Sequence, residues 1–253
     1  MTSPVEASLS QARSGMFPAT RWSCVSMLRR DPTSPEGQRA LGDLCAAYWY
    51  PIYSFARRKG QSVADAQDLT QSFFARILGG GLFANARETE GKMRSFLLTA
   101  FTRHMADEWD RAQAQKRGGD VEVLSLDFEI GEQRFLHESI PDKQSVDESF
   151  DRAWARSVLD QAGNALEREC AASGKADLFA AVSPLITGSG DVESYEQLTK
   201  SIGMNLEALR QAVRRLRLRF RDLLRQTVAD TLHEHDGKAI DEELVALRAA
   251  LSR

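Results

Sequence analysis

The chain has 253 residues, with 33 lysines and arginines against 36 aspartates and glutamates, a formal net charge of -3, and 42% hydrophobic residues, a composition that excludes a disordered or collagen-like chain. Its three cysteines are far apart, which favours a reducing cytoplasm and gives no zinc signature. The N-terminal stretch lacks the apolar segment of a secretion signal, and no run of residues is apolar enough to cross a membrane, so we expect a cytoplasmic protein without a membrane partner.

The first half of the chain has the apolar spacing of helices, and no alternation lasts long enough to indicate a sheet. Gly60 and the run Gly79-Gly80-Gly81 are typical helix stops, and no Lys-Ser or Lys-Thr pair follows the triple glycine to make it a phosphate loop. We predict helices at 20–30, 37–59, 63–78 and 91–115.

The second half begins with a segment, 116–148, that mixes glycine, proline and acidic residues. This composition indicates a linker with at most one docked segment. Helical spacing resumes at Phe150 and breaks near Gly174. We expect a loop from Pro184 to Asp191 and a terminal helix at 241–251 that docks on the rest of the protein. The whole pattern predicts an all-α fold.

Residues 194–209 have the features of a helix-turn-helix. Ser194 with Gln197 has the spacing of a capping box, Gly203 supplies a turn, and Asn205 is placed to cap the following helix. In this motif the second helix enters the major groove of DNA. The alternative is an ordinary helical hairpin in a bundle.

The helix that follows carries two stripes. Apolar residues recur at 209, 213, 216, 220, 223 and 224, and beside them lie Arg210, Arg214, Arg217, Arg221 and Arg225. Arginines at this spacing repel one another, so a polyanion opposite them would stabilise the arrangement. A merely solvated charged face is the alternative.

The chain resembles bacterial sigma factors of the extracytoplasmic-function group. Three stretches carry the resemblance: LCAAYWYPIYSFARRKG (44–60), DAQDLTQSFFARIL (65–78) and SYEQLTKSIGMNLEALRQAVRRLRLRF (194–220). It implies an N-terminal tail (1–19), a region 2 helical bundle (20–115), a linker (116–148), a region 4 helix-turn-helix domain (149–228) and a C-terminal extension (229–253).

The resemblance also implies partners and residue roles. Core RNA polymerase would be bound at its clamp coiled coil and flap, with the clamp contacted by Asp65, Asp68, Gln71 and Phe74. Promoter DNA is the second partner, and an anti-sigma factor or a kinase is a candidate regulator. Phe73 is expected in the core.

The downstream promoter element would be melted and held by the helix at 91–117, since strand opening needs basic residues along the strand and aromatic rings for stacking. Arg103 stands where the family often has asparagine, and we expect Phe96 and Trp109 to be buried. The candidate contacts are Lys92, Arg94, Arg103, His104, Arg111, Lys116 and Arg117.

The upstream promoter element would be contacted by the helix-turn-helix. Arginine makes bidentate contacts to guanine and glutamine to adenine, whereas other arginines meet phosphate. Ala212 stands where many relatives have arginine. The candidate contacts are Asn205, Arg210, Gln211, Arg214, Arg215, Arg217 and Arg221.

Three other functions compete with the sigma-factor interpretation. A helix-turn-helix regulator that is not a polymerase subunit would leave the 65–78 helix without a role. A helical scaffold would keep the fold but not open promoters. An enzyme has little support, because the four histidines are dispersed and no nucleophile elbow or HExxH motif occurs, so we expect neither catalytic residues nor cofactor nor metal.

Overall fold

The computed structural model describes residues 34–79, 92–114, 127–138, 145–187, 195–232 and 236–252. Within these ranges every regular element is a helix, which confirms the all-α prediction, and the only β pairing is an isolated antiparallel bridge between Lys92 and Leu232. The helices are α1 Pro35–Arg58, α2 Val63–Leu78, α3 Met93–Ala114, α4 Phe128–His137, α5 Val146–Ala172, α6 Ala176–Thr187, α7 Tyr195–Ile202, α8 Leu206–Ala229 and α9 Gly237–Ser252.

Helices α1, α2 and α3 match the predicted segments 37–59, 63–78 and 91–115 to within two residues at each end. The start of α2 is fixed by Ser62, whose hydroxyl accepts a hydrogen bond from the Asp65 backbone N–H at 3.1 Å. The predicted helix at 20–30 lies outside the described residues, as do Gly80 and Gly81.

The segment predicted as a linker contains α4, which docks on α1. Asp127 caps it by accepting from the Ile130 N–H at 3.1 Å. The Arg57 guanidinium of α1 grips the Glu132 carboxylate with Nε at 3.1 Å and a terminal nitrogen at 3.0 Å. Gly131 faces Trp49 so closely that an added Cβ would lie 2.8 Å from the ring. One docked segment is therefore present, as expected.

Helix α6 runs through Pro184 to Thr187, so the prediction that a loop begins at Pro184 is wrong. Proline has no N–H to donate to the carbonyl four residues earlier. Here the Ser183 hydroxyl donates to that carbonyl, on Ala180, at 3.2 Å, which lets the helix continue for one more turn.

The largest apolar cluster is built around α1 and includes residues from α2 and α3. Phe150 and Trp154, from the first half of α5, are almost fully buried in the same cluster. The predicted second domain thus begins on a helix whose N-terminal half packs with the first. The division into two domains stays a prediction.

Two smaller clusters hold the second half of the chain. In one, Leu166 and Cys170 of α5 pack with Phe179 of α6 and Leu223 of α8. In the other, Val182 of α6 packs with α7 and the start of α8. The C-terminal helix α9, predicted at 241–251, docks on the large cluster through Leu247.

No helix in the part of the chain that the structure describes has the length and apolar character needed to span a membrane.

Candidate nucleic-acid interface

Helices α7 and α8 lie on either side of the turn predicted at Gly203. Gly203 makes the turn in the left-handed region at φ +71°, where an L side chain would be strained. The Asn205 side chain then caps α8 by accepting from the Ala208 N–H at 2.8 Å. Ser194, the predicted cap of the first helix, lies outside the described residues.

A small apolar cluster sets the angle between the two helices. It contains the buried side chains of Leu198 from α7, Leu209 and Val213 from α8, and Val182 from α6. Because these residues occupy one side of α8, its opposite side is left to solvent along the first four turns. The predicted apolar stripe of α8 is thereby confirmed.

The exposed side of α8 carries four arginines that form no ion pair or hydrogen bond with other described side chains. Gln211 lies among them and donates to the Glu207 carboxylate one turn earlier at 3.2 Å. A row of guanidinium groups without carboxylate partners on an exposed helix side is a surface of positive potential, which attracts polyanions. The four are Arg210, Arg214, Arg215 and Arg221.

The remaining arginines of α8 are used within the protein. Arg217 donates to the Leu185 carbonyl of α6 through two nitrogens, at 2.9 and 3.2 Å. Arg219 pairs with Glu169 of α5, and this hydrogen bond raises the pKa of Arg219 and lowers that of Glu169. Arg225 pairs with Asp241 of α9. The five-arginine stripe is therefore divided, since Arg217 and Arg225 have internal partners.

Helix α2 presents two of the acids predicted to bind polymerase. Asp65 and Asp68 are exposed on its first two turns, and Gln71 is half-buried. The Ser62 hydroxyl donates to the Asp65 carboxylate at 2.6 Å, which fixes that carboxylate at the helix start. Phe74, in contrast, is fully buried beside Phe73, so it belongs to the core and is not on the surface here.

The predicted strand-opening contacts on α3 are not all on one surface. Arg103 and Arg111 are exposed, and Arg111 pairs with Glu108 one turn earlier. His104 is buried, with its Nε2 atom 2.8 Å from the Ser72 hydroxyl of α2. Burial lowers the pKa of His104. Lys116 and Arg117 lie outside the described residues.

Lys92 and Arg94, at the start of α3, are held by a carboxylate from the other end of the chain. Glu243 of α9 is 1% exposed; one of its oxygens lies 2.6 Å from the Lys92 ammonium and the other 2.7 Å from the Arg94 Nε. Arg94 also pairs with Asp151 of α5, and its guanidinium lies 4.5 Å from the Trp154 ring centroid. Glu243 was not among the residues predicted from the sequence, although an acid on the apolar face shared with Ile240 and Leu247 is a detectable signal.

The expectation that Trp109 is buried is wrong, since 64% of its surface is exposed. The last core contact of α3 is made by Met105, and Trp109, one turn further on, lies among the exposed residues Asp107, Asp110 and Arg111. Phe96 is half-buried against the large cluster. An exposed indole on a helix with exposed arginines is suited to stacking on a base.

No three histidine, cysteine, aspartate or glutamate side chains within the described ranges come together in a group that could hold a metal ion. Comparison with protein-family models, curated proteins and solved structures gave no match to this chain.

Proposed function

We propose that this protein is a sigma factor, which binds core RNA polymerase, directs it to promoters with an upstream and a downstream element, and helps to melt the downstream element. The observation that carries the proposal is the division of the α8 arginines. Three of them contact neighbouring helices: Arg217 donates to a backbone carbonyl, and Arg219 and Arg225 each pair with a carboxylate. The other four have no carboxylate partner among the described residues.

The upstream element would be read by the first half of α8. Asn205 caps this helix at its N-terminus, and Arg210, Gln211 and Arg214 follow within three turns. In a helix-turn-helix these turns face base edges, where each bidentate arginine or glutamine contact gives roughly 1–3 kcal/mol of discrimination. Arg221 lies further along and would meet phosphate.

Polymerase would be bound by α2. Its acidic first turns leave Asp65 and Asp68 exposed, and carboxylates at such positions accept charge-assisted hydrogen bonds from arginines of a partner helix. The Ser62 cap fixes the Asp65 carboxylate, which reduces the conformational entropy that this residue loses on binding.

The alternative is a helix-turn-helix regulator that does not join polymerase. One observation favours it: Lys92, Arg94 and His104 of α3 are engaged inside the protein, so part of the predicted strand-opening surface is covered. This alternative keeps the role of α8 and removes the roles of α2 and α3.

The test is multi-round transcription with purified core polymerase on fragments of the source genome, with sequencing of transcript starts. We expect discrete starts that share two upstream motifs. They should be lost in Arg210→Ala/Arg214→Ala and in Asp65→Arg/Asp68→Arg, and kept in the matched controls Arg168→Ala/Arg248→Ala and Glu167→Arg/Asp177→Arg, whose side chains are exposed elsewhere.

Specific DNA binding without binding to core polymerase would establish the regulator in place of the sigma factor. Binding to core polymerase without new transcript starts would establish the scaffold. An equal loss in the variants and their controls would show that net charge, rather than these surfaces, determines activity.

A further inference from the structure

The start of α3 is a two-cation site that is occupied by an anion of the protein itself. One oxygen of Glu243 lies 2.6 Å from the Lys92 ammonium and 3.3 Å from a terminal nitrogen of Arg94, and the other lies 2.7 Å from the Arg94 Nε. A DNA phosphate also presents two charged oxygens, and arginine and lysine bind them in the same way. The Glu243 carboxylate therefore binds these two cations in the way that a DNA phosphate would.

The charge at this site depends on whether α9 is docked. With Lys92, Arg94, Asp151 and Glu243 together, two positive and two negative groups cancel. Without Glu243, the site carries a net charge of +1, and the Arg94 guanidinium is still held against Trp154. Undocking of α9 thus changes a neutral site into one that attracts a polyanion.

Helix α9 docks on the large cluster and on α5 with one apolar face. Leu247 is the one apolar residue of α9 that is buried, whereas Ala239, Ile240, Leu244, Ala250 and Leu251 are half-buried and Val245 is exposed. Its pair with α8, between Asp241 and Arg225, is well exposed to solvent, and such pairs contribute little to stability. The buried contact of Glu243 to Lys92 and Arg94 is therefore the main polar contact of α9, and its loss weakens the docking of the helix.

We propose that α9 is a releasable clasp, and that its Glu243 carboxylate competes with single-stranded DNA for Lys92 and Arg94. The protein with α9 docked is then a closed form in which part of the strand-opening surface is occupied. This inference rests on the proposed function, because it takes the partner of α3 to be a melted DNA strand.

The first test measures binding of the full chain to a fluorescent single-stranded oligodeoxythymidine. Glu243→Gln keeps the shape of the side chain but weakens the contact to both cations, so the DNA-competent fraction rises and the apparent affinity should increase, by up to about tenfold. Glu242→Gln is the matched control, since it removes the same charge from the preceding residue of α9, which is exposed. It should bind like the unmodified chain.

Equal affinities of Glu243→Gln and the unmodified chain would overturn the proposal, and so would an absence of binding by all three proteins. Neither result bears on transcription by Arg210→Ala/Arg214→Ala, so failure of the clasp and failure of the proposed function are distinguishable. Circular dichroism melting shows whether each variant is folded.

The second test needs no variant. Binding linkage is reciprocal, so DNA that competes with α9 must also promote its undocking. In hydrogen exchange of the unmodified chain, saturating oligodeoxythymidine should reduce the protection of 237–252, while the protection of α5 should be kept. Unchanged or increased protection of 237–252 would show that α9 is a fixed part of the fold.

Discussion

His104 illustrates how a residue predicted to bind DNA is used inside the protein. Its ring lies beside the contacting rings of Phe73 and Phe101, with centroid distances of 5.6 and 6.4 Å, and its Nε2 atom contacts the Ser72 hydroxyl. Burial is the largest cause of its lowered pKa, and Arg76 and Arg111 act in the same direction, against Glu108 and Asp107. The folded protein therefore prefers the neutral imidazole.

This preference predicts a pH dependence of stability. Because the pKa of His104 is lower in the folded than in the unfolded chain, its contribution is fully present above the unfolded value of about 6.5 and is lost as the pH falls through it towards the folded pKa. Thermal unfolding followed against pH should show this loss. His104→Gln, which keeps a polar group near Ser72, should flatten the profile below about pH 6.5; an unchanged slope in this variant would assign the loss to other groups.

At the scale of elements, α4 shows what docks a helix on α1. Gly131 lies where α4 meets Trp49, and a Cβ there would be 2.8 Å from one ring carbon and 2.9 Å from another. Glu132 adds a bidentate pair with Arg57, and the Tyr53 hydroxyl donates to the same carboxylate. Glycine is needed at position 131 because a larger side chain would collide with the Trp49 ring, and not because of its backbone conformation.

The two glycines of α1 and α4 give a matched prediction. Gly131→Ala should lower the free energy of unfolding by about 1–3 kcal/mol, because the added methyl group overpacks against Trp49. Gly42→Ala should raise it by about 0.5–1 kcal/mol, because Gly42 lies within α1 with open space around it, and alanine is the better helix former. Urea denaturation of both variants measures the difference. A stabilising effect of both would show that the Trp49 contact yields to an added methyl group.

Local patterns predicted the elements better than the contacts between them. The bounds of α2 and the turn at Gly203 follow from capping, turn chemistry and apolar spacing within a few residues. The extent of α4 could not be predicted in this way, because Gly131 interrupts its apolar spacing and the residues that it packs against are on α1. The loss of Arg94 from the predicted DNA surface was beyond local reasoning, since its partner Glu243 is 149 residues away.

At the scale of the whole molecule, a net charge of -3 gives no long-range attraction to DNA. The four arginines of α8 that have no carboxylate partner among the described residues instead form a local patch of positive potential. At physiological ionic strength the Debye length is about 8 Å, so this attraction acts only close to the surface.

The salt dependence of binding to promoter duplex follows from this arrangement. Each phosphate contact contributes about -0.9 to the slope of log K against log salt concentration. Arg221→Ala, which removes the proposed phosphate contact, should therefore reduce the size of the slope by about 0.9. Arg219→Ala, which breaks the pair with Glu169 on another side of α8, should leave the slope unchanged. Equal slopes for the unmodified chain and Arg221→Ala would place Arg221 away from the DNA backbone.

The antiparallel bridge from Lys92 to Leu232 and the contact from Lys92 to Glu243 have a consequence during protein synthesis. On the ribosome, α3 emerges long before α9, and regions of a nascent chain begin to fold as they emerge. For that interval the two cations at the start of α3 have no carboxylate from α9 to meet them. The positive charge of this site is therefore neutralised in two steps, as Asp151 and then Glu243 emerge, and only the emergence of α9 makes it neutral.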